Sequence, residues 1–338
     1  MSLSEGAVIS SNVRQTMTLI TDTDFVNNTA LQGGVFNIKD ESLIKCYNCV
    51  FVSNFASASG VVRVIDNGYY EIYDSQMSFN FACQSPISEL FDSAFLSVID
   101  NTTISFNNVL TYDEILIEFN SSCYKLCFVP DSYKQYMIKS HLSYFMVTSA
   151  PLFQLISASL SIQSSSQITQ QSSLLNMFLS NAIITNSSIS AILLQESAIK
   201  VTSSTLNISN TSFINIVTTI PIDIMFVSLD STLVVNSLSL FNSEISLFTV
   251  RSTNIEVNNL TMNSVSVKLY AIKIYSCQPV TLNQINLVNM SSLMGKEILI
   301  DDSRDVEINH IQTSNIYEHI LHISNSNVTH MTDLVMLN

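Results

Sequence analysis

Charged side chains are scarce in this chain of 338 residues. Asp, Glu, Lys and Arg make up 12% of the sequence, whereas apolar residues make up 47%. An ordinary soluble domain carries roughly twice that share of charge. Much of the surface must therefore consist of uncharged Ser, Thr and Asn.

Basic residues are rarer still, and their scarcity excludes two classes of partner. There are 13 Lys and Arg against 27 Asp and Glu, which gives a net charge of −14. Nucleic acids and anionic membranes both need clustered basic side chains. We expect no nucleic-acid partner and no membrane contact by this segment.

The two ends lack features that a complete secreted repeat protein carries. Met1–Ser11 has no basic start followed by an apolar stretch, and Gly6 already belongs to a repeat. His330–Asn338 has no recognisable polar cap, which terminal coils need. We expect a fragment of a longer chain, whose missing regions could include a signal peptide, caps and a membrane anchor.

Residues 140–195 contain no Asp, Glu, Lys or Arg, and His141–Leu160 is the best candidate for a membrane span. Ser and Thr interrupt it, and Pro151 and Gln154 fall inside it. Its hydrophobicity is marginal for crossing about 30 Å of hydrocarbon. We interpret it as a buried coil.

The first third of the chain repeats one motif, in which an Asn or Asp is followed by an apolar residue three positions on and an Asn three further. The copies are Asp22/Phe25/Asn28, Asn48/Phe51/Asn54, Asp74/Met77/Asn80 and Asn101/Ile104/Asn107. Each apolar anchor follows the last by 26, 26 and 27 residues. A period of this length, built of strand and turn formers, is typical of a solenoid.

Aligning the copies gives columns that stay apolar in every repeat. The predicted columns are Phe25, Phe51, Met77 and Ile104; Ile20, Cys46, Ile72 and Ile99; and Ile38, Val64, Leu90 and Ile117. Parallel strands stacked coil on coil, about 4.8 Å apart, would bury such columns. Helical repeats would need Ala, Leu, Glu and Lys at a period of 3.6, and the chain offers Val, Ile, Phe, Thr and Asn instead.

The second half carries a related pattern with an Asn column. The copies are Leu233–Leu238, Ile255–Leu260, Val280–Ile285 and Val306–Ile311, and the aligned residues are Asn236, Asn258, Asn283 and Asn309. Asn tolerates a left-handed backbone, and its amide both donates and accepts hydrogen bonds. We interpret the column as stacked at a bend, where it stabilises the fold.

These patterns predict an all-β, right-handed, single-stranded parallel β-helix of about thirteen coils with 22–28 residues each, one of them starting near Glu114. We expect residues 1–338 to form one continuous domain. The stretch 120–148, with Cys123, Cys127 and Pro130, delays the next strand and is predicted to be an inserted loop.

A Phe-x-x-Asn element (Phe25–Asn28, Phe51–Asn54) followed by Gly-Gly-hydrophobic (Gly33–Phe36) resembles the repeats of the polymorphic outer-membrane protein family. The resemblance covers roughly the first third of the chain, and later copies read Ser59-Gly60 and Ser85-Pro86. It implies a right-handed β-helix of the pectate-lyase-like type, displayed outside the cell and often adhesive. No functional residue carries over.

The spacing of Cys46 to Cys49 and Cys123 to Cys127 invites a four-cysteine zinc site. The predicted register places Cys46 in the core and Cys49 outside, and separates the two pairs by about 14 Å, too far for one ion. We expect no metal or cofactor. Cys46, Cys83 and Cys277 are predicted to be buried free thiols, and a disulfide between Cys123 and Cys127 is plausible in a secreted protein.

Nine Asn-x-Ser/Thr sequons are present, close to the number that composition alone would give, so their count does not indicate glycosylation. Asn120, in the predicted loop, is the most accessible candidate.

An enzyme is the main alternative, because the pectate-lyase-like fold hosts polysaccharide lyases and glycoside hydrolases. The register places Arg251, Tyr275 and Asp301 outward in one column and Lys273 with His322 in the next, with Asp302 adjacent. A cation among carboxylates could serve acid and base roles near Lys273, Tyr275, Asp301 and Asp302. A solvated ladder of charges accounts for the same pattern, and we assign no catalytic residue.

The sequence favours a non-catalytic, extracellular or cell-surface ectodomain that serves as a stalk, display or adhesion surface for a protein or carbohydrate ligand. The alternatives are the lyase or hydrolase and a purely structural rod. Replacing Asp301 and Asp302 would separate the enzyme from the other two.

Overall fold

The computed structural model describes residues 8–14, 16–56, 58–82, 85, 87–99, 102–105, 108–109, 152–163, 167–170, 173–191, 194, 197–218, 222–267, 270–292, 296–316 and 319–337. These residues form strands, turns and bends, with no helix among them, and every strand pair that is formed is parallel. The prediction of an all-β parallel solenoid is confirmed. The turns number about ten rather than thirteen.

The chain divides into two compact units. Unit 1 comprises Met1–Ser159 and Gln170–Leu175, and unit 2 comprises Leu160–Thr169 and Asn176–Asn338. The single continuous domain over 1–338 stays a prediction, and the loop 120–148 with Asn120, Cys123 and Cys127 lies outside the described residues.

The strands of the chain up to residue 159 are short. They are β1 (Ile9–Ser11), β2 (Met17–Thr21), β3 (Asp24–Val26), β4 (Thr29–Ala30), β5 (Phe36–Ile38), β6 (Leu43–Tyr47), β7 (Val50–Val52), β8 (Phe55–Ala56), β9 (Val62–Val64), β10 (Tyr69–Tyr73), β11 (Gln76–Ser78), β12 (Phe81–Ala82), β13 (Ser88–Phe91), β14 (Phe95–Ile99), β15 (Thr103–Ser105), β16 (Asn108–Val109) and β17 (Phe153–Ile156).

The strands that follow reach a length of 15 residues. They are β18 (Ser159–Gln163), β19 (Gln167–Gln170), β20 (Leu175–Phe178), β21 (Asn181–Thr185), β22 (Ser188–Ala191), β23 (Ile199–Thr202), β24 (Thr205–Ile214), β25 (Asp223–Ser228), β26 (Ser231–Ser243), β27 (Ser246–Arg251), β28 (Thr253–Val267), β29 (Ile272–Tyr275), β30 (Val280–Val288), β31 (Ser291–Ser292), β32 (Lys296–Asp301), β33 (Val306–Ser314), β34 (His319–Ser324) and β35 (Val328–Leu337).

The predicted core columns of unit 1 are buried stacks, with one correction. Phe51 pairs with Phe25 and Met77, and Met77 pairs with Ile104, all at most 6% exposed. In the second column Val98, not Ile99, is the partner of Ile72. The fourth repeat is one residue longer than the others, and the additional residue lies after Ile99, which therefore falls on the outward side beside Tyr73.

The third column shows where the predicted coil count was too high. Leu90 of β13 pairs on one side with Val64 and on the other with Leu155 of β17. No strand from the predicted coil near Glu114 lies between β13 and β17, since these two strands pair directly. Ile117 lies outside the described residues.

The first residue of each opening motif turns the chain. Asp22, Asn48 and Asp74 have φ values of 49, 52 and 46°, the left-handed region that Asn and Asp tolerate better than other side chains. Because the backbone reverses its curvature there, the next residue points into the solenoid instead of away from it. All three of these residues lie at bends of the chain.

A Ser, Thr or Cys directly follows Asp22, Asn48, Asp74 and several other left-handed residues, and these side chains form what we call the corner ladder. Its hydroxyl donates to the carbonyl two residues earlier in Thr23, Ser75, Ser180, Ser187, Ser204, Thr211, Ser243, Thr253, Ser303 and Ser326. The same oxygen also accepts a hydrogen bond from a backbone N–H of the preceding turn. For example, Ser180 N–H donates to Ser204 Oγ at 3.0 Å. The ladder provides hydrogen bonds to backbone groups that would otherwise be buried at the corners without a partner.

The last residue of the motif forms the inner asparagine ladder, Asn28, Asn54 and Asn80. The side chain of Asn54 is fully buried; its Oδ1 accepts from Asn28 Nδ2 at 2.8 Å, and its Nδ2 donates to Asn80 Oδ1 at 2.9 Å and to the Phe25 carbonyl at 2.9 Å. A buried amide with all of these partners stabilises the stack, because each turn supplies bonds that the next one needs.

Unit 2 carries the outer asparagine ladder, Asn236, Asn258, Asn283 and Asn309. Nδ2 of each of the last three donates to Oδ1 of the asparagine one turn before, at 2.9, 2.7 and 2.7 Å. These side chains lie on the solvent side, next to a left-handed residue at each bend. The predicted column is therefore present, on the outside of the fold.

The Gly-Gly element is required by close backbone contacts. A Cβ on Gly33 would lie 1.8 Å from the Phe36 carbonyl oxygen, and a Cβ on Gly34 would lie 1.9 Å from the Gly60 carbonyl oxygen. Only glycine fits at these two contacts, the first within one turn and the second between neighbouring turns. The motif behind the family resemblance thus has a structural cause.

Candidate functional site

The outward side of β2, β6, β10 and β14 in unit 1 carries a continuous set of aromatic and apolar side chains. The aromatic face consists of Met17, Leu19, Leu43, Lys45, Tyr47, Tyr69, Glu71, Tyr73 and Phe95. Met17, Leu19 and Tyr69 are 67%, 57% and 43% exposed. Strand alternation places the face opposite the buried Ile44, Tyr70 and Ile72.

Pairs across neighbouring turns order the centre of this face. The rings of Tyr47 and Tyr73 stack with centroids 4.4 Å apart and planes 4° apart. Glu71 accepts a hydrogen bond from Tyr73 Oη at 2.8 Å and pairs with Lys45 Nζ at 2.7 Å. The hydrogen bond to Glu71 raises the pKa of Lys45, and burial, then Glu71, raise the pKa of Tyr73.

A shallow groove of about 350 Å³ opens at the edge of the aromatic face. Its lining combines apolar and carboxylate side chains: Thr16, Met17, Glu41, Leu43, Tyr69 and Glu71. Grooves of this size with apolar walls and a few polar groups can hold a side chain or a small ligand. The sequence analysis did not identify these residues as a site.

The structure brings part of the sequence-predicted cluster of unit 2 together. Tyr275 pairs with Arg251 on one side and Asp301 on the other, and the Arg251 guanidinium carbon lies 5.4 Å from the Tyr275 ring centroid. In the next column Leu299 lies between Lys273 and His322, so these two are separated by a full turn.

Lys273 has a partner that the sequence analysis missed. Its Nζ lies 3.0 Å from Asp223 Oδ1, and Asp223 Oδ2 accepts from Thr249 Oγ1 at 2.7 Å. The Lys273 and Asp223 side chains are only 15% and 11% exposed. Asp223 lies two strands away in the sheet, and the long side chain of Lys273 reaches it across the strand between them.

The two aspartates of the cluster have separate surroundings. Asp301 Oδ1 accepts from Ser324 Oγ at 2.7 Å and Asn325 Nδ2 at 3.2 Å, whereas Asp302 is an exposed left-handed residue whose carboxylate accepts from Ser276. Among the described residues, neither forms an ion pair with Lys273.

A second buried acid, Glu89, lies in β13 of unit 1. Glu89 is 2% exposed and lies 3.8 Å from Arg63 Nε, while Arg63 Nη1 donates to Gln32 at 2.6 Å. Glu89 Oε1 has no hydrogen-bond partner. Burial raises the pKa of Glu89 to about 7, against the lowering effect of Arg63. The register of Ile38, Val64 and Leu90 already placed both residues outward.

Both cysteines of the first pair are buried, so the prediction that Cys49 faces outward was wrong. Cys49 follows the left-handed Asn48, which turns it inward into the corner ladder, and its Sγ lies 3.5 Å from the Tyr47 carbonyl. The two thiols hydrogen-bond to each other, which raises the pKa of Cys46 and lowers that of Cys49. Cys277 is buried and free as predicted, and Cys83 lies outside the described residues.

The described residues include neither a metal-binding cluster nor a helix that could cross a membrane. In this part of the chain no group of three or more His, Cys, Asp or Glu could hold a metal ion. No helix among these residues is long and apolar enough to cross a membrane.

Comparison of the chain with protein-family models, with curated proteins and with solved structures finds no match.

Proposed function

We propose that this chain is a non-catalytic β-solenoid ectodomain of an extracellular or cell-surface protein and that it binds a partner through the aromatic face of unit 1. The observation that carries the proposal is the exposure of Met17, Leu19 and Tyr69 in one continuous surface. Contiguous exposed apolar patches mark interaction sites more often than scattered side chains do. The aromatic rings provide contact area at little cost in conformational entropy.

Three further observations support a displayed surface. The acidic, charge-poor composition disfavours nucleic-acid and membrane partners, so protein or carbohydrate partners remain. The parallel solenoid holds the face on hydrogen-bonded strands. The Phe-x-x-Asn and Gly-Gly elements resemble repeats of the polymorphic outer-membrane protein family. That resemblance favours a right-handed helix of the pectate-lyase-like type, displayed on a cell and adhesive.

The experiment compares two triple variants on printed peptide and glycan arrays. Met17→Ser, Leu19→Ser and Tyr69→Ser together should abolish retention of the labelled protein.

The control replaces three residues of unit 2 with similar exposure: Phe178→Ser at 45%, Ile183→Ser at 42% and Leu229→Ser at 59%. The control variant should keep the wild-type signal. Equal losses in both variants, or no retention of the wild type on any feature, would contradict the proposal; the latter favours a structural rod.

A lyase or hydrolase is the second candidate, supported by the outward column Arg251, Tyr275 and Asp301 beside Lys273. The double variant Asp301→Ala, Asp302→Ala tests it. If the chain is an enzyme, release of reducing ends or unsaturated products from a panel of polysaccharides disappears in the variant. A binding protein releases none in either form.

A further inference from the structure

The groove of unit 1 pairs carboxylates with exposed apolar walls. Glu41 and Glu71 line it together with Met17, Leu43 and Tyr69. A lysine or arginine side chain matches such a lining, because its aliphatic stem packs on apolar surface while its charged head reaches an acid. An exposed ring also attracts a cation placed over its face.

The chain itself already shows both contacts on its outward surfaces. Lys45 Nζ lies 2.7 Å from Glu71 Oε2, at the rim of the groove. Arg63 lies over Phe91 at 5.7 Å, and Arg251 lies over Tyr275 at 5.4 Å from the ring centroid. A cation from outside would repeat contacts that the chain forms within itself.

More acidic groups continue along the edge of the aromatic face. Asp66 and Asp92 are exposed, and each lies three residues before an aromatic side chain of the face, Tyr69 or Phe95. The turns stack directly, since Glu41 N–H donates to the Asp66 carbonyl and Asn67 N–H to the Asp92 carbonyl. Within the described residues no ion pair neutralises Glu41, Asp66 or Asp92.

In the part of the chain that the structure describes, three cations lie within two residues of a groove-lining residue: Arg14, Lys39 and Lys45. Lys45 is paired with Glu71. The whole chain carries a net charge of −14, which attracts basic partners over distances near the Debye length. Local and overall charge therefore favour the same class of partner.

We propose that the groove and the acidic edge of the aromatic face bind a basic peptide segment of a partner protein. One Lys or Arg side chain enters the groove between Met17 and Tyr69, with its head group near Glu41, and further basic side chains pair with Asp66 and Asp92. This inference rests on the proposed function, since it assigns a partner class to the same face.

The test uses fluorescein-labelled deca-lysine and deca-arginine, with deca-glutamate as the negative probe, and measures anisotropy at low and physiological salt. The triple variant Glu41→Gln, Asp66→Asn and Asp92→Asn should bind the basic peptides about tenfold more weakly, since exposed ion pairs each contribute modestly. Asn tolerates the left-handed backbone of the two aspartates, so the fold is retained. Tyr69→Ser should weaken binding about threefold.

A matched control removes the same charge from unit 2. Asp230→Asn, Asp302→Asn and Asp305→Asn neutralise three exposed left-handed aspartates, and this variant should change the affinity less than twofold. Equal losses in the two variants would overturn the inference, because attraction would then depend on net charge alone. In a further outcome, the basic peptides do not bind, while retention on the arrays still depends on Met17, Leu19 and Tyr69. That result would overturn the partner class and leave the proposed function standing. Displacement of the peptides by neutral glycans would also contradict it.

Discussion

The two units stack similar turns yet satisfy their polar groups in opposite places. Unit 1 keeps its asparagine ladder inside, with Asn54 fully buried, and leaves tyrosine and apolar side chains on the outward side of β2, β6, β10 and β14. Unit 2 places its asparagine ladder outside, on the solvent side of its own strands. One repeat architecture therefore supports two kinds of surface, and the amides can strengthen the core or cover the exterior.

Each unit has an ion pair on its strands, Lys45–Glu71 in unit 1 and Lys273–Asp223 in unit 2. Removing the two lysines should give the largest difference between the units in the free energy of unfolding. Lys273→Ala leaves the nearly buried Asp223 carboxylate without its cation and should lower the free energy of unfolding by about 4 kcal/mol. Lys45→Ala removes the partner of Glu71 at a more exposed site, with side chains 27% and 21% exposed, and should cost less than about 1 kcal/mol. Urea unfolding of both variants measures the difference. Equal costs would mean that burial does not distinguish the two pairs.

The two asparagine ladders should differ almost as much. Asn54→Ala removes a buried amide and leaves Asn28 Nδ2 and the Phe25 carbonyl without their partner, so we expect a loss of about 3 kcal/mol. Asn283→Ala breaks the outer ladder where water can replace the amide, and should cost about 0.5 kcal/mol. Thermal and urea unfolding provide the measurement, and an outer-ladder loss equal to the inner one would contradict this account.

The buried Glu89 of unit 1 predicts a pH-dependent stability. The pKa of Glu89 is raised to about 7 from an unfolded value near 4.5, so between these values the folded state binds the proton more tightly. Stability from this group is fully present below the unfolded pKa and is lost as the pH rises through 7. Relative to Glu89→Gln, the wild type should lose about 2 kcal/mol between pH 5 and pH 8. Parallel pH profiles of the two proteins would contradict the raised pKa.

The smallest effect should come from the corner ladder. Cys49→Ser supplies the hydroxyl that Thr23 and Ser75 use at the equivalent corners, and should change stability by less than about 0.5 kcal/mol. Cys49→Val fills the same space without a donor and should cost about 1 kcal/mol, since the Tyr47 carbonyl loses its contact. Differential scanning calorimetry compares the two, and a serine variant that is less stable than the valine variant would contradict the role of the ladder.

The sequence predicted the columns of the fold, because apolar residues recur at the repeat length and parallel stacking places equivalents on top of one another. It failed where local geometry breaks alternation, as at Cys49 after the left-handed Asn48 and at Ile99 beside an additional residue. It also missed the partner of Lys273, because alignment by turns gives neighbours one strand away and a long side chain reaches two.

The ladders also determine how the chain can fold. The inner amide bonds join residues 26 positions apart, from Asn28 to Asn54 and from Asn54 to Asn80. A single turn holds none of these bonds, so the first stable structure needs at least two turns, and growth then proceeds one neighbour at a time. Since every such contact closes a loop of this length, folding should be slow relative to helical proteins of equal size.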